Sequence, residues 1–148
     1  MEWGLLLLID VDIYLDVDGV LFCRENGILE LRDGALGFLH FLVNNFENCY
    51  WLSSWGSGFN DVLKLIYGDK IASRFKTANW EHGPIDKASG IKDWNRRFIW
   101  IEDGISIGAM EELQKHNCVD SFINCPFTGS IHKLYDIKDE LKRKFNIV

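Results

Sequence analysis

Short apolar, β-rich runs alternate along this chain with segments of helical spacing, and several of the runs end in, or are followed directly by, a carboxylate or a hydroxyl. The runs are Ile13 to Val17, Cys49 to Leu52, Phe98 to Glu102 and Ser121 to Asn124. Between them, Ala35 to Asn45 spaces Leu36, Leu39 and Val43 as one helix face, while Asn60 to Tyr67 and Lys87 to Trp94 fit further helices. Ser106 is placed as the N-cap of a helix that uses Ile107, Met110 and Leu113, and the last helix aligns Ile131, Leu134, Ile137, Leu141 and Phe145. Strands separated by helices pair in parallel, because each crossover carries the chain back to the same edge. The expected fold is therefore α/β, three layers, with a central parallel sheet covered on both faces. A local exception is expected where Val20 to Arg24 and Ile28 to Arg32 flank Glu25-Asn26-Gly27, since Asn-Gly between apolar runs marks a β-hairpin.

The 148 residues suit one domain, 1–148, with no repeat, linker or low-complexity tract. A formal net charge of −6 argues against non-specific binding to nucleic acid or to an anionic membrane. The apolar run Leu5 to Ile9 is too short for a signal peptide or a spanning helix, and Asp10 and Asp12 follow it, so a cytoplasmic location is expected. Cys23, Cys49, Cys118 and Cys125 show no zinc-ligand spacing and read as reduced thiols.

In parallel α/β sheets, ligands bind beyond the carboxyl ends of the strands, so residues that directly follow strand runs are the ones to inspect. Tyr14-Leu15-Asp16-Val17-Asp18-Gly19-Val20 places two carboxylates two residues apart at a strand tip, and Gly19 lets the backbone turn just beyond them. Two carboxylates held so close need a cation or a shared proton. Mg²⁺ suits them, as a hard ion that prefers oxygen ligands. Glu102-Asp103 ends another run. Asp10-Val11-Asp12 has the same form but is followed by Ile13 and no turn, and is assigned to solvent or a strand edge.

Ile13-Tyr14-Leu15-Asp16-Val17-Asp18-Gly19-Val20-Leu21 resembles the first motif of the haloacid dehalogenase-like (HAD) superfamily, most of whose members are phosphatases. Tyr50-Trp51-Leu52-Ser53 resembles the second, Lys87 ahead of an apolar strand the third, and Ile99-Trp100-Ile101-Glu102-Asp103-Gly104 the fourth. Leu31-Arg32-Asp33-Gly34-Ala35-Leu36 resembles the segment leading into the family's first helix, with Asp33 where a proline is common. The resemblance implies a Rossmann-like HAD core and assigns roles. Asp16 would be the nucleophile that forms an aspartyl-phosphate, and Asp18 the general acid and then base. Mg²⁺ would be held by Asp16, the backbone carbonyl of Asp18, and Asp103, with Glu102 orienting the shell. Ser53 would bind the phosphoryl oxygens and Lys87 neutralise their charge, with Ser54 as a rival to Ser53, and Lys92 and Lys70 as less suitable rivals to Lys87.

From Asp18 to Ser53 is 35 positions and from Ser53 to Lys87 is 34, too few for an inserted cap domain beside the elements already there. The chain thus resembles the capless members, with the hairpin as a small flap. An uncapped cleft suits a phosphorylated substrate presented on a macromolecule, a phosphoprotein or a nucleic-acid end; no membrane partner is expected, and the sequence does not fix the oligomeric state. Trp55, Trp80 and His82 are assigned to packing or the cleft wall, and Cys125-Pro126-Phe127-Thr128-Gly129 to a structural turn. The competing readings are a phosphotransferase of the same fold and a non-catalytic phosphate- or protein-binding module. The presence of Asp18 counts against the module, which has no chemical need for an acid there.

Overall fold

The structure is a computed structural model that describes residues 7–148. The apolar run beginning at Leu5 therefore lies partly outside the described residues. Among the described residues, seven strands and five α-helices follow in the order β1 (Ile9–Leu15), β2 (Phe22–Glu25), β3 (Ile28–Leu31), α1 (Ala35–Asn45), β4 (Phe46–Trp51), α2 (Gly58–Tyr67), α3 (Asp69–Ala72), β5 (Phe75–Thr77), β6 (Phe98–Glu102), α4 (Ile107–Lys115), β7 (Phe122–Asn124) and α5 (Lys133–Lys144). Five of the strands form one parallel sheet in the order β5-β4-β1-β6-β7, and β2 and β3 pair as a separate antiparallel hairpin. Helices cover both faces, giving a Rossmann-like three-layer α/β/α sandwich.

The two faces of β1 explain the layers. Successive side chains of a strand point to opposite sides. Val11, Ile13 and Leu15 pack into a core with Phe38, Leu39 and Leu42 of α1, Phe59 and Leu63 of α2, and Leu134, Ile137 and Leu141 of α5. Tyr14 faces the other way, into a cluster with Tyr50, Trp100, and Ala109 and Leu113 of α4. Its ring stacks on Tyr50 at 5.1 Å and meets Phe98 edge-on at 6.0 Å. Ser106 caps α4, its hydroxyl accepting from the Ala109 N–H at 3.1 Å. The hairpin turns at Asn26 and Gly27 with φ of 56° and 78°, the left-handed pair that a tight two-residue connection requires.

Three readings of the sequence are corrected. Lys87 to Trp94 is not a helix: only a 3₁₀ turn, Asp86–Gly90, forms, and Ile91 beyond it is extended. Gly90 lies so close to Leu52 that a Cβ there would stand 2.5 Å from Leu52 Cδ1, so the segment is pressed against β4 instead of coiling. Asp10-Val11-Asp12 lies inside β1, the central strand, and Asp12 is buried. Arg96 makes this tolerable, donating to both Asp12 oxygens at 3.0–3.2 Å and also to Asp10, while Asn48 donates to Asp12 at 3.1 Å. Elements α3 and β5 are additional to those read from the sequence; they are four and three residues long, too short for periodicity to register. No helix among the described residues is long and apolar enough to cross a membrane.

Candidate functional site

The carboxyl end of β1 lies between those of β4 and β6, and the chain leaves all three strands with polar residues. The Asp16 N–H still donates to Ile101 O at 3.1 Å, and the Leu52 N–H to Leu15 O at 2.9 Å, so the ladder continues until Asp16 stands beside Glu102 on one side and Ser53 follows on the other. Asp16, Glu102 and Ser53 are buried, each under 5% exposed, whereas Asp103 and Asp18 reach solvent.

Carboxylate oxygens of Asp16, Glu102 and Asp103 all lie within 4.8 Å of one another. Lys87 projects from its 3₁₀ turn onto the same cluster, with Nζ 2.9 Å from Glu102 Oε2 and 3.4 Å from Asp16 Oδ1. Each buried acid also turns back on its own loop: Asp16 accepts from the Val17 N–H at 2.8 Å and Glu102 from the Asp103 N–H at 3.3 Å. Gly19 closes the arrangement. Its φ is +85°, and a Cβ built there would lie 2.4 Å from Asp103 Cβ and 2.7 Å from Asp103 Oδ2. Only a residue without a side chain lets the turn after Asp18 pass this close to Asp103.

The charges do not balance within the cluster. Burial disfavours the Lys87 ammonium, but Glu102 and then Asp16 outweigh it and hold the Lys87 pKa above its ordinary value. Glu102 gives way instead. Burial first, then Asp16 and Asp103 beside it, push its carboxyl far above the usual carboxylate range, more than Lys87 can offset. Three carboxylates gathered around a single ammonium form a group suited to a divalent cation. The donor set is all oxygen, with Asp103 open to solvent, and this fits a hard ion that keeps several waters.

Of the residues singled out in the sequence, the structure brings Asp16, Lys87, Glu102 and Asp103 together, with Glu102 as the direct partner of Lys87. The Asp18 carboxylate stands apart from the cluster, where its Oδ2 accepts from the Trp55 indole N–H at 3.2 Å. Ser53 lies at the end of β4 with Oγ accepting from the Trp55 N–H at 3.0 Å, which leaves its own hydroxyl proton to donate elsewhere; Ser54 is exposed. Lys92 lies over the Tyr50 ring and Lys70 on α3, neither in contact with the acids. A cavity of about 180 Å³ on the β6 side is lined by Lys87, Trp100, Glu102, Asp103 and Ser106 among others. A second, of about 270 Å³ on the β4 and β5 side, is lined by Ser53, Ser54, Thr77, Asn79, Trp80 and His82 among others. Trp80 is the wall between this second cavity and the acids: its N–H donates to Ser53 O at 3.1 Å and Lys87 Nζ lies 5.9 Å from its ring.

Two contributors escaped the reading of the sequence. The indole N–H of Trp55 on Asp18 had no signal beyond its place after Ser53-Ser54. Arg32 is 1% exposed and donates to the carbonyls of Gly19, Pro126 and Ser130, the first at 3.0 Å. A charged residue in a loop ahead of a helix gives no sequence sign of being buried. The turn over Cys125 to Gly129 is present, closed by the Gly129 N–H on Pro126 O at 2.9 Å. No protein-family model matches this chain, and no curated protein matches it.

Proposed function

We propose that this protein is a Mg²⁺-dependent phosphatase of the HAD-like type, hydrolysing a phosphomonoester through an aspartyl-phosphate on Asp16. The observation that carries the reading is the meeting of Asp16, Glu102 and Asp103 within 4.8 Å, with Lys87 reaching Asp16. Mg²⁺ would be held by Asp16, Asp103 and the Asp18 carbonyl, with Glu102 beside them, and when bound it would offset phosphate charge. Lys87 provides fixed positive charge for the same oxygens, and Ser53 a hydroxyl donor at the strand end. The free Asp16 oxygen attacks phosphorus while Asp18, at the solvent edge, gives a proton to the departing alcohol oxygen. Asp18 then takes a proton from the water that releases phosphate from Asp16.

No inserted domain separates the strand ends from solvent among the described residues, so the reading extends to phosphate groups carried on large partners. The test is turnover of a broad panel of phosphorylated small molecules, peptides and oligonucleotide ends, with Mg²⁺ and with EDTA. Asp16→Asn should abolish turnover and leave the thermal unfolding transition in place. Mg²⁺-independent turnover, or an Asp16→Asn variant that keeps its rate, would overturn the assignment. Addition of acceptor alcohols, with transfer products sought, separates hydrolysis from phosphotransfer.

A further inference from the structure

We propose that Arg32 is a positioning residue: its buried guanidinium fixes Gly19 against Asp103 and so sets where the Asp103 carboxylate stands relative to Asp16. The inference rests on the functional reading above for its kinetic consequence, though the contacts themselves are independent of it.

A cation taken out of water is costly unless a carboxylate or several polar groups replace the lost solvent. Arg32 is 1% exposed and forms no ion pair with a carboxylate among the described residues. Its charge is met by three backbone carbonyls from two separate loops: Gly19, which follows the Asp16-Val17-Asp18 tip, and Pro126 and Ser130, which follow β7. Its Nε–H has no partner among the described residues, so the Nη contacts orient the side chain. The residue's own backbone is tied as well, with the Arg32 N–H donating to Leu21 O at 2.7 Å.

These loops converge on one residue. The Cys125 N–H donates to Glu102 O at 2.8 Å, so the segment that carries Pro126 begins beside the acidic pair. Gly19, whose carbonyl shares Nη2 with that of Pro126, is in contact with Asp103, since a Cβ on Gly19 would stand 2.4 Å from Asp103 Cβ. A closed circuit thus runs from Glu102 and Asp103 through Cys125 and Pro126 to Arg32, then to Gly19 and back to Asp103. An apolar side chain at this position would fill the same space without burying a charge. What the guanidinium adds is a planar fork that meets three carbonyls in fixed directions, Nη2 bridging Gly19 O and Pro126 O across the two loops while Nη1 holds Ser130 O, a set that a single ammonium does not match.

The test compares Arg32→Lys with wild type. Because the substitution can itself affect folding, thermal unfolding is measured first, and kinetics are taken well below the transition. Arg32→Lys keeps the charge but lacks the fork, and kcat should fall about 10- to 100-fold with KM changed by less than about threefold, as for a misplacement on the order of 1 Å. In Arg32→Ala, millimolar guanidinium should restore part of the lost rate and ammonium should not. A readout free of activity accompanies these: in ¹⁵N-labelled protein, the amide signals of Gly19 and Asp103 should shift in Arg32→Lys while that of Gly68 stays in place. Wild-type kcat in Arg32→Lys, or unmoved Gly19 and Asp103 signals, would overturn the proposal. If the wild-type protein turns over no phosphate ester, the functional reading fails by itself, and the amide shifts still decide whether Arg32 positions Gly19 and Asp103.

Discussion

Gly19→Ala puts the closest contact of the acidic cluster under direct test. Two costs add at that position. With φ at +85°, any side chain meets left-handed backbone strain of roughly 1–2 kcal/mol. The new Cβ would also sit 2.4 Å from Asp103 Cβ and 2.7 Å from Asp103 Cγ, and overpacking of this kind costs about 1–3 kcal/mol. Together these come to about 2–5 kcal/mol, which for a chain of this size lowers Tm on the order of 10 °C. Restoring an ordinary carbon–carbon separation of about 3.5 Å requires Asp103 to retreat by about 1 Å. A displacement of that size at a reacting centre costs about 10² in rate. Gly27→Ala is the matched control, because Gly27 has φ of +78° and nothing within 4 Å of its would-be Cβ. It should show the backbone strain alone, a fall of a few degrees, and no loss of Mg²⁺ binding. The assays are thermal unfolding, calorimetric titration with Mg²⁺, and kcat on whichever phosphate ester is turned over. Equal Tm losses in the two variants, with Mg²⁺ affinity unchanged in Gly19→Ala, would show that the Gly19–Asp103 contact does not shape the site.

Glu102 predicts how stability depends on pH in metal-free protein. Its folded pKa is raised, so above the ordinary carboxylate pKa the folded chain holds a proton that the unfolded chain has released. Stability from this group is complete below that ordinary value and is lost as pH rises towards the folded pKa. In EDTA, Tm should therefore decline as pH rises above about 5 towards the folded pKa, pushed up to about 11, and Glu102→Gln should flatten the decline. Stabilisation by added Mg²⁺ should grow over the same interval, because the ion requires deprotonated ligands. An identical pH profile in Glu102→Gln would remove Glu102 as the cause. At the far end of the sheet, Arg96→Met strands the buried Asp12 without its guanidinium, and thermal unfolding should move to lower temperature. An unchanged Tm would mean that Asp12 is satisfied by Asn48 and solvent alone.

The strands that carry the site were legible because each is an apolar run stopped by a polar residue. Ala35–Asn45 and Phe98–Glu102 have the same bounds in sequence and structure, and the Asn26-Gly27 hairpin follows from turn chemistry alone. What failed has a common cause: tertiary packing that no local pattern encodes. Lys87 to Trp94 reads as a helix, yet Gly90 lets the segment press flat on Leu52. Asp12 reads as solvent-facing until Arg96, 84 residues along the chain, arrives to pair with it. Arg32 is the same case with carbonyls as partners. Of the candidate site, the sequence marks the strand ends where side chains emerge. It does not mark which neighbours they meet, so the Lys87–Glu102 pair, the Trp55–Asp18 hydrogen bond and the fit of Gly19 against Asp103 required coordinates.

Asp-Val-Asp occurs twice in this chain, at 10–12 and 16–18, and the pairing of the first copy constrains the second. Residues 10, 12, 14, 16 and 18 share one parity, so a two-residue slide of β1 between its neighbours would preserve every inward and outward assignment. Hydrophobic patterning alone does not forbid that slide. Arg96 does: moving β1 forward would drag Asp12 into the aromatic slot that Tyr14 fills between Tyr50 and Phe98, while moving it back would pull Asp12 away from the guanidinium. The ion pair at the amino edge thus works as an index mark, and the distance by which Asp16 overhangs the opposite edge is gauged from there.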